Sequence, residues 1–97
     1  MTIYNEYAVK NIDLIVGKLY QTKGTIRGLN EDDIEYGELT FDVNSCIMLT
    51  RIERLDDGFW LHNDNKPMML SVLYKKNTYV VFFDFASMIH HYIQKVH

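Results

Sequence analysis

The sequence has one cysteine, Cys46, and one proline, Pro67, among 97 residues. A lone cysteine cannot form a disulfide within the chain, which is typical of a reducing compartment. One proline and five glycines also argue against a flexible linker or a low-complexity tract. The longest apolar run, Tyr79 to Phe83, is too short to span a membrane. The first residues lack the basic and apolar regions of a signal peptide. These absences predict a cytoplasmic protein, or one of the host cytoplasm if it is virus-encoded.

The composition predicts one small globular domain covering residues 1–97. Hydrophobic residues make up 47% of the chain and aromatic residues 13%, which is enough for a packed core and too much for a disordered chain. A chain of this length fits a single domain.

The middle of the chain predicts short antiparallel strands separated by turns. Residues 2–8 have helical spacing and predict a short helix. Gly24 and Gly28 indicate turns or irregular structure in the region after the first predicted long strand. Asp57-Gly58 is typical of a tight hairpin turn. The predicted strands are Asp13–Tyr20, Glu38–Val43, Cys46–Leu55, Phe59–His62, Met68–Tyr74 and Thr78–Asp84, and Thr25–Leu29 predicts either a short strand or an irregular turn.

The end of the chain predicts an amphipathic helix over residues 85–96. Its apolar positions recur at helical spacing, and Asp84 is suited to cap the first turn. The apolar stripe consists of Phe85, Met88, Ile89, Tyr92, Ile93 and Val96.

These elements predict a mostly β, α+β fold: a small, strongly bent antiparallel sheet of five or six strands, or an SH3-like or OB-like barrel, with the C-terminal helix over one open end. The alternative arrangement is a flat sheet with the helix across one face.

The most unusual feature of the sequence is a concentration of acidic residues. Six of the 13 acids lie between Asn30 and Asp42, and none of the ten lysines and arginines does. The rest of the chain is therefore mildly basic. Carboxylates this close repel one another unless water, a cation or a basic partner surrounds them.

This segment favours a non-enzymatic binding domain, an accessory regulator or inhibitor that recognises a protein. A carboxylate cluster steers basic partners, and the tyrosine within it is a residue type that anchors interfaces. The predicted partner-binding residues are Glu31, Asp32, Asp33, Glu35, Tyr36 and Glu38.

The alternative function is single-stranded nucleic-acid binding by a small β-barrel. Basic residues flank tyrosines at two places in the chain, and such proteins combine lysines along the phosphates with rings that stack on bases. The candidate residues are Lys18, Tyr20, Lys23, Arg27, Lys75 and Lys76.

Other chemistry finds little support. The acidic residues do not have the ligand spacing of an EF-hand, and His90 and His97 would lie about 10 Å apart on a helix, too far for one zinc ion. No motif marks Cys46, Ser45, Ser71 or Ser87 as a nucleophile, and we expect Cys46 to be a small core residue. No phosphate-binding glycine motif is complete. We therefore expect no enzyme activity, no cofactor and no metal.

Both faces of the strand ending at Phe83 are apolar, since Tyr79, Val81 and Phe83 alternate with Val80 and Phe82. Strands covered on both sides have this pattern. Packing of the predicted helix on one face explains this pattern without a further partner. If the helix covers only part of the strand, the alternative is a homodimer interface over the remainder.

Overall fold

The structure is a computed structural model, and it describes residues 2–9, 11–31, 37–54 and 67–96. Ten strands and one short 3₁₀ helix, Ala86–His91, lie within these ranges. The strands are β1 (Thr2–Tyr4), β2 (Glu6–Val9), β3 (Ile12–Ile15), β4 (Leu19–Thr22), β5 (Ile26–Asn30), β6 (Glu38–Phe41), β7 (Cys46–Arg54), β8 (Met68–Tyr74), β9 (Asn77–Phe83) and β10 (Ile93–Lys95).

Eight of these strands form one strongly curled antiparallel sheet, a half-barrel. The strand order is β10-β4-β7-β8-β9-β5-β6, and β1 also pairs with β7. Strands β2 and β3 form a separate hairpin. The prediction of a mostly β, strongly bent sheet is thus confirmed. The predicted number of five or six strands is wrong, because the two end segments that were predicted as helices add β1 and β10 to the sheet.

The inner face of the sheet carries the hydrophobic core. Leu49, Ile52, Leu70, Val72 and Val81 are all nearly inaccessible to solvent. Leu49 and Ile52 both point inward although they are three residues apart, because β7 changes register between Leu49 and Arg51. This irregularity turns Arg51 and Glu53 to the outer face of the sheet.

The β8–β9 hairpin confirms the predicted pair of strands near the end of the chain. Strand β8 has the predicted bounds, and β9 begins and ends one residue earlier than predicted. Strands Glu38–Phe41 and Cys46–Arg54 also match predicted strands, with small shifts at their ends. Of the two alternatives for Thr25–Leu29, the structure shows the strand, at Ile26–Asn30. The predicted strand Phe59–His62 and the Asp57-Gly58 turn lie outside the described residues.

Two predictions near the N-terminus are wrong. Residues 2–8 form β1 and β2 instead of a helix, because their backbone groups pair with β7 and β3. The predicted strand Asp13–Tyr20 is two strands, separated at Gly17. Gly17 has φ of 92°, a conformation that breaks a strand and that glycine adopts without strain.

The predicted C-terminal α-helix is also wrong. After the 3₁₀ helix the chain becomes extended, and β10 pairs with β4. Phe85 and Val96, which a helix would bury, are exposed, whereas Ile89 and Ile93 are buried. Asp84 does not cap the helix: Phe85 occupies the N-cap position and no side chain bonds there. The edge of β4 supplies backbone hydrogen-bond partners for β10, and this pairing outweighs the helical spacing of the apolar residues.

Candidate functional site

The two ends of the acidic segment are held by the β5–β6 hairpin. The Asn30 N–H donates to the Gly37 carbonyl oxygen at 2.7 Å, and the Glu31 N–H donates to the Thr78 carbonyl oxygen at 3.0 Å. Glu38 pairs with Leu29 through the β5–β6 ladder. Asp32, Asp33, Glu35 and Tyr36 lie outside the described residues. The structure therefore fixes where the segment leaves and re-enters the sheet.

Of the six predicted partner-binding residues, Glu31 is the one whose side chain the structure describes. It is exposed, and its Oε1 accepts a hydrogen bond from the Ser71 hydroxyl at 3.1 Å. Ser71 is itself buried in β8, so this bond fixes the carboxylate against the sheet. Within the described ranges, Glu31 forms no ion pair. Its negative charge is therefore available to a partner from outside.

Beside Glu31, the outer face of the sheet contains an apolar groove of about 270 Å³. We call this the outer groove. The ladders place Val80 between Leu29 and Ser71, and Met69 opposite Phe82, so side chains of β5, β8 and β9 share this face. The residues that line the outer groove are Leu29, Asn30, Glu31, Met69, Val80 and Phe82.

An ion pair lies on the same face, on β7, with β8 between it and Phe82. Glu53 is opposite Met69 in the β7–β8 ladder. Its Oε1 contacts Arg51 Nε at 2.6 Å, with side-chain exposures of 3% for Glu53 and 48% for Arg51. The second carboxylate oxygen of Glu53 is buried, and no atom of the described residues forms a hydrogen bond with it. Buried carboxylates of this kind are costly unless paired, so Arg51 compensates most of the charge of Glu53.

The candidate nucleic-acid residues are divided among several places. Lys18 and Lys23 flank β4, and Lys75 and Lys76 form the turn between β8 and β9. Arg27 lies on β5, four strands from β4 in the sheet order. The structure does not bring these five residues to one surface by strand order.

Tyr20 cannot serve as a stacking platform, because its side chain is buried in the core. Its hydroxyl accepts a hydrogen bond from the Ile15 N–H and donates to the Asp13 carbonyl oxygen, both at 2.8 Å. Burial raises the pKa of Tyr20, the bond from Ile15 opposes this, and the negative charge of Asp13 adds to it. Tyr20 is therefore a structural residue.

The structure adds Lys95, which sequence analysis assigned to a helix. Lys95 lies between two clefts, one of about 410 Å³ that it shares with Lys18 and one of about 500 Å³ that it shares with Lys23. Asp13 and His90 also line the larger cleft, and the Lys23 ammonium donates to the His90 carbonyl oxygen at 3.1 Å. Three lysines thus follow the β4–β10 edge.

The residues considered for catalysis are dispersed. Cys46 is exposed, which corrects the expectation of a core residue. The Ser45 hydroxyl donates to the Asp42 carbonyl oxygen at 2.8 Å, and the Ser71 hydroxyl is engaged by Glu31. The rings of His90 and His91 lie 4.0 Å apart. Across the described part of the chain, no three histidine, cysteine or acidic side chains cluster as metal ligands.

No family model matches this chain. No curated protein and no solved structure shows significant similarity to it either. Within residues 2–96, outside the gaps given above, no helix has the length and apolar character needed to cross a membrane. The interpretation of the site therefore depends on its own chemistry.

Proposed function

We propose that this chain is a non-enzymatic binding domain that recognises a protein partner with a basic surface. It acts as an accessory regulator or inhibitor in the cytoplasm, of the host if the chain is virus-encoded. The SH3-like or OB-like form of the sheet belongs to the same proposal, because curled sheets of that kind present hairpin connections for binding. The binding residues are Glu31, Asp32, Asp33, Glu35, Tyr36 and Glu38.

The observation that supports this proposal is the anchoring of both ends of the acidic segment. Asn30 and Gly37 are joined by a backbone hydrogen bond, and Glu31 is bonded to β9. A connection whose two ends are already fixed has less conformational entropy to lose when a partner binds. Six closely spaced carboxylates between Asn30 and Asp42 also create a negative potential that attracts a basic surface.

The test is the reversal of two charges in the centre of the segment, Asp32→Lys with Asp33→Lys. We expect affinity capture from the native cell lysate, read by mass spectrometry, to lose a basic partner at least tenfold. The midpoint of thermal unfolding should change little, because the proposal assigns these two carboxylates to binding and not to the core. A matched control reverses two exposed acids elsewhere, Glu6→Lys with Asp84→Lys.

The control should retain the partner, because it changes net charge by the same amount without touching the segment. Capture that persists in the Asp32→Lys, Asp33→Lys variant would contradict the proposal. Equal loss in both variants would also contradict it, since the effect would then depend on net charge alone.

A second candidate is single-stranded nucleic-acid binding along the β4–β10 edge, favoured by the positions of Lys18, Lys23 and Lys95. Three phosphate contacts predict that the logarithm of affinity falls with the logarithm of salt concentration with a slope of about 2. An oligonucleotide titration at increasing salt measures this slope. A Lys18→Glu, Lys95→Glu variant should bind more weakly than a Lys75→Glu, Lys76→Glu control. An absence of binding at low salt would eliminate this candidate.

A further inference from the structure

The outer groove exposes apolar side chains that a sheet normally buries. Phe82 is 54% exposed, whereas its neighbour Phe83, on the inner face, is buried. Leu29, Met69 and Val80 are partly exposed beside it. Three neighbouring strands therefore contribute to one apolar depression, with room for a bulky side chain. Contiguous apolar surface of this kind is characteristic of interaction sites.

The charge at the end of the groove restricts what can occupy it. Glu31 lines the groove, and the Ser71 hydroxyl holds its carboxylate in place. A wholly apolar occupant would remove water from this carboxylate without replacing its hydrogen bonds, which is unfavourable. An occupant with a cationic group next to an apolar side chain satisfies both parts of the groove.

A second copy of the chain is less suited to this position. Its outer face carries the same charges, and Arg51 on that face is already paired with Glu53. Arg27, on the same face of β5, also has an interaction of its own. A second copy would therefore have to break an existing contact before either cation could meet Glu31.

We propose that the outer groove binds an apolar anchor side chain of a basic protein segment, next to a lysine or arginine that pairs with Glu31. This inference rests on the proposed function, since it concerns the same partner. It adds the chemistry of the partner: an apolar residue, preferably aromatic, flanked by cationic residues. The partner segment then contacts the sheet with its anchor side chain and Glu31 with its cation.

The test uses two short peptides that differ at one position, Gly-Lys-Lys-Phe-Lys-Gly and Gly-Lys-Lys-Ser-Lys-Gly. Titration followed by NMR measures weak affinities and locates the contacts in the same experiment. We expect the wild-type chain to bind the Phe peptide about tenfold more tightly than the Ser peptide, because the buried ring leaves water. The largest shifts should occur at Leu29, Val80 and Phe82.

The variant Phe82→Ser should abolish the preference for the Phe peptide while leaving the affinity for the Ser peptide unchanged. The matched control is Phe85→Ser, because Phe85 is exposed to a similar degree, 47%, and does not line the groove. It should retain the preference. Glu31→Gln should lower the affinity for both peptides by the same factor, since it removes the negative charge and leaves the apolar contact. The spectrum of each free variant shows whether it is folded.

Equal affinity of the two peptides for the wild-type chain would overturn the proposal, as would shifts outside the groove or no binding of either peptide. A wild-type dimer in equilibrium sedimentation that Phe82→Ser dissociates would also overturn it and identify a second copy as the occupant. The proposed function fails separately, if the Asp32→Lys, Asp33→Lys variant still captures the partner. If that variant still binds the Phe peptide more tightly than the Ser peptide, the groove proposal holds although the proposed function has failed.

Discussion

The two faces of strand β9 are almost equally apolar, but the structure buries only one of them. Tyr79, Val81 and Phe83 face inward and are buried, whereas Val80 and Phe82 face outward, Val80 partly and Phe82 largely exposed. Hydrophobicity alone therefore does not determine which face becomes the core.

The difference comes from what the rest of the chain places against each face. The inner face is the one that the sheet curls around, and the 3₁₀ helix and β10 contribute the buried residues Ile89 and Ile93 to the same core. The outer face carries Glu31 and the Arg51–Glu53 pair. Charged groups next to apolar ones make a second core unfavourable and a recognition surface suitable.

The largest expected effect is a contrast in stability between the two faces. Leu70 is 1% exposed on the inner face. We expect Leu70→Ala to lower the free energy of unfolding by about 2–5 kcal/mol, because it removes buried methyl groups and leaves a cavity. Phe82→Ser on the outer face should cost about 1 kcal/mol or less. Urea denaturation of the two variants measures both values.

A loss for Phe82→Ser as large as that for Leu70→Ala would break the comparison. The outer face would then be part of the core, and the groove would not be an accessible surface.

A second prediction concerns the ion pair on the outer face. Arg51→Met leaves the buried carboxylate of Glu53 without its cation, and we expect a loss of about 1–3 kcal/mol, because an unsatisfied buried charge is costly. Replacing both residues, Arg51→Met with Glu53→Met, should recover most of this loss. Thermal and urea unfolding of the single and double variants measure the difference.

Equal losses in the single and double variants would mean that the Glu53 carboxylate is not the source of the cost. The outer face would then tolerate an isolated charge, and its distinction from the inner face would be weaker.

Sequence reasoning was most successful where the structure is local. The β8–β9 hairpin joins neighbouring strands through the two-residue turn Lys75-Lys76, so the alternation of residues and the turn contain the information needed. The curled sheet also followed from the close spacing of turns, although the predicted number of strands, five or six, was too low.

Sequence reasoning failed where a distant segment decides the outcome. Residues 93–95 pair with β4, some 70 residues earlier in the chain, and helical spacing says nothing about that open edge. Because the helix was predicted there, Lys95 was not grouped with Lys18 and Lys23, beside which the structure places it. Tyr20 was misjudged because its contacts, the backbone of Asp13 and Ile15, depend on how β3 folds over β4.

The candidate site was predictable only in part. The acidic segment can be identified from the number of acidic residues in a short stretch of sequence. The apolar character of both faces of β9 can be identified because its alternate residues are all apolar. The outer groove is not, because it depends on the register of β5, β8 and β9, which places Leu29, Met69 and Phe82 together.

The smallest expected effect concerns a polar contact within the inner core. Tyr20→Phe removes the hydroxyl that bridges Ile15 and Asp13. We expect a loss of about 1 kcal/mol at pH 7, the net value of a typical hydrogen bond, since Ile15 is only half-buried.

The effect of Tyr20→Phe should also depend on pH. Burial raises the pKa of Tyr20 in the folded chain above its ordinary value of 10.0, so the unfolded chain loses this proton first. The stabilising effect of Tyr20 is therefore complete below pH 10 and is lost as the pH rises through the folded pKa. Urea denaturation at pH 7, 9 and 11 should show the difference between wild type and Tyr20→Phe constant at first and then shrinking. A difference that grows above pH 10 would mean that the folded chain favours the ionised hydroxyl, and Tyr20 would then belong with the solvated, charged outer surface instead of the core.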